Sequence, residues 1–228
     1  MTMDIRRMKV WMLGPAADTP LPFDLTQSYP DCLCLPATGD GDLGDRVESL
    51  RGILPSLPIF LICEPISQAY NVAGFTEAAR AAPDGIILRG VESAARIQMA
   101  ETLLRVVEAR EGLEEGAIAL IAMIGDNGGG LLNARHFVHK PGRLIALGYD
   151  AGPLDGGHAG NDVARHGAVT TMLAARNLGI PAIDFTGAES ASGAFETSCH
   201  RAARNGFAGK LAAHPAHIGI IKNAFGAA

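Results

Sequence analysis

The sequence predicts an α/β fold, a single (β/α)8 barrel domain over residues 1–228, on three observations: eight short apolar runs, even spacing, and amphipathic segments between the runs. The runs recur roughly every 28 residues, the interval expected when each strand is followed by a helix and two loops. They are continuously apolar rather than alternating, as strands of a parallel sheet are when both faces are covered. An open doubly wound sheet is the rival arrangement, but no run is followed by a dinucleotide G-x-G-x-x-G turn, and an even count of eight favours closure.

Taken in order, Lys9–Leu13 is the first candidate strand, ended by Gly14 and Pro15. The connection Ala16–Pro30 carries the weakest helical pattern of the chain. Asp31–Pro36 follows, then a helix over Asp42–Leu54 with Asp42 placed to cap it. Ile59–Cys63 leads to a helix over Ser67–Ala81, capped by Ser67, and Gly85–Leu88 leads to Glu92–Glu111, whose apolar residues fall at i, i+3, i+4 spacing. Glu92 and Ser93 read as the start of that helix. Ala117–Ile124 precedes a shorter helix over Leu131–His139, and Arg143–Gly148 precedes Asp162–Asn177, again with strong helical periodicity. Pro181–Phe185, a helix from Ser190 to Asn205, Phe207–Ala213 and a last helix over Pro215–Ala224 complete the series.

Composition narrows the function classes. The chain has 228 residues, 48% hydrophobic and 19% charged, with a net charge of −5 and no basic block. Neither nucleic acid nor an anionic membrane surface is an expected partner, which leaves a small-molecule substrate. The four cysteines, Cys32, Cys34, Cys63 and Cys199, fit neither a zinc ribbon nor a disulfide framework and read as reduced core residues. The apolar run after Arg6, Arg7 and Lys9 is too short for a signal-peptide core, and no stretch approaches the ~18 apolar residues of a spanning helix, so a cytoplasmic location is expected.

Several motifs carry a more specific resemblance. Asn205-Gly-Phe-Ala-Gly-Lys-Leu-Ala-Ala-His214-Pro-Ala-His217-Ile, continuing to Asn223 and Phe225, resembles the closing G-F-x-G-K-x-x-I-H-P-x-Q-I pattern of the citrate lyase beta-subunit family. Ala174-Ala-Arg-Asn-Leu-Gly-Ile-Pro-Ala-Ile-Asp184 resembles its A-A-R-x-x-G-x-P-x-I-D, and Asp84-Gly-Ile-Ile-Leu-Arg-Gly-Val-Glu-Ser93 its D-G-I-x-L-P-K-V-E-S. Ile121–Ala134 resembles I-E-T-x-x-G-L-L-N-A. In order and spacing the chain is similar, over roughly residues 8–228, to the HpcH/HpaI aldolase and citrate lyase beta-subunit family. The resemblance implies a TIM barrel of the phosphoenolpyruvate/pyruvate-domain type, with an eighth helix able to pack on a neighbouring subunit, and a homo-oligomer of three or six chains. It also implies Mg2+-dependent carbon–carbon bond cleavage or formation on a keto acid or an acyl-CoA thioester, with CoA present only as part of the substrate.

Such chemistry leaves an enolate, so a site must neutralise developing negative charge and move a hydroxyl proton. A metal held by two carboxylates can do the first, and the resemblance places these carboxylates after strands five and six. Asp126 stands where the resemblance places the fifth-strand glutamate. The sixth-strand F-G-x-E-D-L reads Leu147-Gly-Tyr-Asp150-Ala-Gly-Pro-Leu-Asp155, so the second metal ligand is Asp150 or Asp155; Asp150 is preferred because it ends the predicted strand. Other motifs depart from the pattern. The strand-two D-L-E-D reads Pro36-Ala-Thr38-Gly39, the strand-three arginine falls near Ile62, and P-K before V-E-S reads Arg89-Gly90.

Arg89 is the candidate replacement for the lost cation, gripping a substrate carboxylate through its guanidinium; the alternative is a surface arginine. Gly128, Gly129 and Gly130 open a helix after strand five and are the candidate anion-binding amides, or else a tight turn. Asp184 ends strand seven and is expected to face the mouth as a catalytic base, or to cap the following turn. His158, on the loop after strand six, is a candidate acid or base against the plainer reading of a surface histidine. His214 and His217 lack the glutamate of a zincin motif and read as structural, while His136, His139, His166 and His200 read as solvated helix residues. The expected function is a Mg2+-dependent carbon–carbon lyase acting on a hydroxy-dicarboxylic acid or a β-hydroxyacyl-CoA thioester. The alternative is a catalytically impaired or non-enzymatic barrel of the same family that binds CoA or an acid.

Overall fold

The computed structural model describes residues 4–15, 29–37, 42–66, 71–138, 140–156, 161–187 and 193–226. Eight parallel strands among them close into a barrel in sequence order: β1 (Val10–Leu13), β2 (Cys32–Pro36), β3 (Ile59–Cys63), β4 (Gly85–Leu88), β5 (Ala119–Gly125), β6 (Leu144–Tyr149), β7 (Ala182–Asp184) and β8 (Gly209–Ala212), with β8 paired to β1. Each run marked as a strand in the sequence is one here, and the architecture is the (β/α)8 TIM barrel. Around it lie α1 (Leu43–Ile53), α2 (Val72–Arg80), α3 (Ala94–Glu111), α4 (Gly128–Leu132), α5 (Gly152–Asp155), α6 (Asp162–Leu178), α7 (Gly193–Asn205) and α8 (His217–Gly226). The helix expected in Ala16–Pro30 and the caps expected at Ser67 and Ser190 fall on residues that lie almost wholly outside the described ones, as does His139.

Strand side chains alternate between two apolar layers. One set, including Trp11, Cys32, Cys34, Phe60, Ile87, Met123, Ile183, Phe185 and Leu211, fills the barrel interior. The Trp11 ring stands 5.0 Å from that of Phe60 and 5.7 Å from that of Phe185, so aromatic side chains from three strands close the lumen. Ile5 and Met8 plug the N-terminal end, where the Met8 carbonyl accepts the Trp11 indole N–H at 3.1 Å. The other set packs outward beneath the helices. All four cysteines are buried free thiols.

Carboxylates bind the N-terminal ends of the strands together. Asp31 accepts the backbone N–H groups of Lys9 and Val10, both at 2.8 Å, and Asp84 accepts that of Ile59 at 2.9 Å. The first residue of the D-G-I motif is therefore structural. Below β5 and β6, Arg143 grips Glu108 with two hydrogen bonds of 2.7 and 2.9 Å, while Glu108 also accepts from Gly116 and Ile118.

The helices depart from the sequence pattern at two places. The one expected at Leu131–His139 begins earlier, at Gly128, because the Asn127 side chain accepts from the Gly130 N–H at 2.7 Å and starts the turn; it ends at Leu132 and gives way to a 3-10 turn over Ala134–His136. The short α5 has no counterpart in the apolar periodicity. The eighth helix lies on its own barrel, against α7, β8 and β1, because Ile218, Ile221, Ala224 and Phe225 form a buried stripe there.

Candidate active site

Asp126 follows β5 and is 6% exposed. Its Oδ2 accepts from the Gly90 N–H at 3.0 Å and its Oδ1 from the Asn127 side-chain amide at 2.9 Å. The first bond depends on a tight turn after β4. Gly90 has φ +60°, and a Cβ there would sit 2.4 Å from the Pro65 ring, so glycine is required. A register shift between β5 and β6 at Met123 and Gly125 immediately precedes Asp126, a place where irregular pairing re-aims a side chain.

Asp150 follows β6. Its backbone N–H donates to the Gly125 carbonyl at 3.2 Å, and its Oδ1 accepts from Gly152 at 3.0 Å. The ends of β5 and β6 are thus joined directly beneath the two carboxylates. Between them lies Arg89, at the end of β4, with Nε 3.9 Å from Asp126 Oδ2 and Nη2 3.6 Å from Asp150 Oδ2. One guanidinium therefore reaches side chains that are 24 residues apart in the chain (150 minus 126) and places both on the same rim. Burial pushes the Asp150 carboxyl above its ordinary range, and the negative charges of Asp184 and Asp126 add to the shift; the Gly152 N–H and Arg89 oppose it. The rim carries more negative charge than Arg89 offsets.

Asp184 ends β7 and points out of the lumen. Its neighbours Ile183 and Phe185 belong to the barrel interior, so alternation turns Asp184 outward beneath the helices. There Lys210, paired with it in register across β7 and β8, donates to Asp184 Oδ2 at 2.6 Å and to the Thr186 carbonyl at 3.2 Å. Thr186 returns its N–H to Asp184 Oδ1 at 2.9 Å, and its hydroxyl oxygen accepts from Ala151 at 2.9 Å. This polar knot fixes the β6 and β7 ends relative to each other. Asp184 also borders a cavity of about 840 Å3 between α6 and α7, with Tyr149, Thr186, Phe195 and Arg201 among its walls.

The remaining candidates divide. Gly130 packs against strand ends, since a Cβ there would lie 2.4 Å from the Ile124 carbonyl and 2.7 Å from that of Val91, and its N–H is already taken by Asn127. Capping and close packing account for it without an anion. Gly129 faces the Glu92 side chain, and a Cβ on Gly128 would meet nothing within 4 Å. Asp155 ends α5, while Asp150 is the carboxylate that shares Arg89 with Asp126. His158 lies outside the described residues, as do Thr38, Gly39 and Asp40 after β2. His217 is buried and stacks on Phe195 at 3.9 Å, while the exposed His214 accepts from the Ala216 N–H. Lys210 was missed by sequence reasoning, although a signal was there: a lysine inside the apolar run Gly209–Ala212 needs a buried partner.

No protein-family model matches the chain, and no curated protein does. Solved structures do share its barrel. RipC from Yersinia pestis superposes with a TM-score of 0.73 at 22% identity, covering 97% of this chain and 96% of its own. The magnesium/glyoxylate complex of Haloferax volcanii malate synthase gives 0.74 at 14% identity, covering 98% of this chain and 76% of its own. The citrate lyase beta subunit of Mycobacterium tuberculosis gives 0.68 at 21% identity, covering 98% and 99%. At these identities the likeness establishes the fold.

Among the described residues no three His, Cys, Asp or Glu side chains converge as a ready metal cage. Mg2+ does not need one, since it keeps several waters and is commonly held by one or two carboxylates plus substrate oxygens. Asp126 and Asp150 fit that requirement: both are hard oxygen donors on one rim, each with lone pairs left after its hydrogen bonds. No described helix is long and apolar enough to cross a membrane.

Proposed function

We propose that the chain belongs to the HpcH/HpaI aldolase and citrate lyase beta-subunit group and acts as a Mg2+-dependent carbon–carbon lyase on a hydroxy-dicarboxylic acid or a β-hydroxyacyl-CoA thioester. One observation carries this reading: Arg89 lies within 4 Å of both Asp126 and Asp150, so the two acidic side chains flank one cationic group at the C-terminal end of the barrel. The sequence motifs and the shared barrel of malate synthase and citrate lyase beta subunit support it.

In this reading Asp126 and Asp150 hold the metal, which supplies Lewis-acid stabilisation of an enolate when bound. Gly90 and Asn127 orient Asp126 through its two hydrogen bonds, and Gly152 orients Asp150. Arg89 binds the substrate carboxylate and fixes which end of the molecule faces the metal-binding pair. The closed aromatic lumen beneath, formed by Trp11, Phe60 and Phe185, excludes water from below. The assembly of three or six chains and the cytoplasmic location are part of the same proposal.

The second reading, an acid-binding barrel without turnover, has a specific observation in its favour: the expected base Asp184 is committed to Lys210 outside the barrel wall. Calorimetric titration with Mg2+ tests the metal assignment. Binding is expected in the native chain and lost in Asp126→Ala; unchanged binding in the variant removes the assignment. Assay of β-hydroxyacyl-CoA thioesters and hydroxy-dicarboxylic acids with Mg2+ then separates the two readings, since a chain that binds Mg2+ and cleaves none of them is the non-catalytic barrel.

A further inference from the structure

Among the described residues, two of the arginine–carboxylate assemblies have opposite character. Arg143 and Glu108 are both buried, with a bidentate pair of hydrogen bonds at 2.7 and 2.9 Å. Arg89 is different. Its side chain is 32% exposed against 4% for Asp126 and 15% for Asp150, its contacts are 3.6 and 3.9 Å, and its guanidinium makes no hydrogen bond among the described residues. Its backbone is nonetheless fixed, with the Arg89 N–H donating to Cys63 at 2.9 Å and the next residue, Gly90, donating to Asp126. A pinned main chain thus carries a loosely held charge between two firmly held acids.

That geometry is poor for a permanent ion pair, which draws its strength from short, directional bonds. It suits a counter-ion that can leave. We propose that Arg89 is a tethered stand-in for the divalent cation: its guanidinium neutralises Asp126 and Asp150 until a metal displaces it, and the freed guanidinium then takes up the substrate carboxylate. Metal therefore binds before the carboxylate substrate. The inference rests on the metal reading above and adds an order of binding and a specificity role for Arg89 to it. The anchored main chain keeps the displaced group at the rim, where a substrate held by the metal would present its carboxylate.

The test is calorimetry on the full chain, using Mg2+ and then pyruvate as a simple carboxylate probe. Arg89→Gln is expected to bind Mg2+ on the order of tenfold more tightly than the native chain, because a competing positive charge is gone. In the native chain pyruvate is expected to bind only with Mg2+ present, and Arg89→Gln to weaken that binding. Native and variant chains that bind Mg2+ equally well, or a variant that binds it less well, overturn the tether and leave the metal reading standing. Absence of Mg2+ binding in both, with circular dichroism showing both folded, overturns the metal reading and the tether with it. A crystal structure of the Mg2+-loaded native chain adds a direct check: a guanidinium still within 4 Å of both carboxylates overturns displacement.

Discussion

Glu108 shows what a committed carboxylate looks like in this protein. Burial alone raises its pKa, but the Arg143 guanidinium and the Ile118 and Gly116 N–H groups outweigh burial and hold the carboxyl below its ordinary range. A group whose folded value is depressed contributes its full stability above the unfolded value and loses it as the pH falls through the folded one. Glu108→Gln leaves Arg143 buried without its charge partner and is expected to cost about 3–5 kcal/mol at neutral pH. Urea denaturation should show that the gap between native and variant narrows by about pH 3, below the usual glutamate range; a gap independent of pH contradicts the assignment. At this scale the sequence was informative where a strand simply ended. Asp126, Asp150 and Arg89 each follow the last residue or two of a strand, and all three reach the same rim. It was uninformative about Asp184, since a three-residue strand fixes no phase by itself and one step of alternation separates the lumen from the helix layer.

The helix after β5 makes the corresponding point for elements. Three consecutive glycines were expected to lead into a helix over Leu131–His139, yet they form the first turn of α4 themselves, because the Asn127 cap and the nearness of two carbonyls demand a backbone without side chains at Gly130. Gly130→Ala is expected to destabilise by about 1–3 kcal/mol through overpacking against Ile124 and Val91. Gly128→Ala, where a methyl meets open space, should be neutral or stabilising by about 0.4–1 kcal/mol. Urea midpoints for the two variants check this contrast, and equal losses would count against the packing account. Strands and long helices were legible because burial writes a continuous or periodic apolar pattern into them. The short α4 and α5 bury too little for that; the Asn127 cap starts α4, and α5 is bounded by a proline in its first turn and the left-handed Gly156.

For the molecule as a whole, Trp11 is the single tryptophan, completely buried, and it touches rings from β3 and β7 across the lumen. Its emission therefore reports on the integrity of the entire ring of strands. Unfolding followed by tryptophan fluorescence and by far-ultraviolet circular dichroism is expected to give coincident transitions, the mark of one cooperative unit. Separated transitions would mean that part of the ring opens alone.

The pairing of β1 with β8 carries a consequence for how this protein is made. A chain growing from its N-terminus on the ribosome presents the naked margin of its first strand until β8, which follows the seven other strands, has emerged to seal it. During that interval the nascent sheet has two unsealed margins, open to pairing with another chain until the seam is sewn.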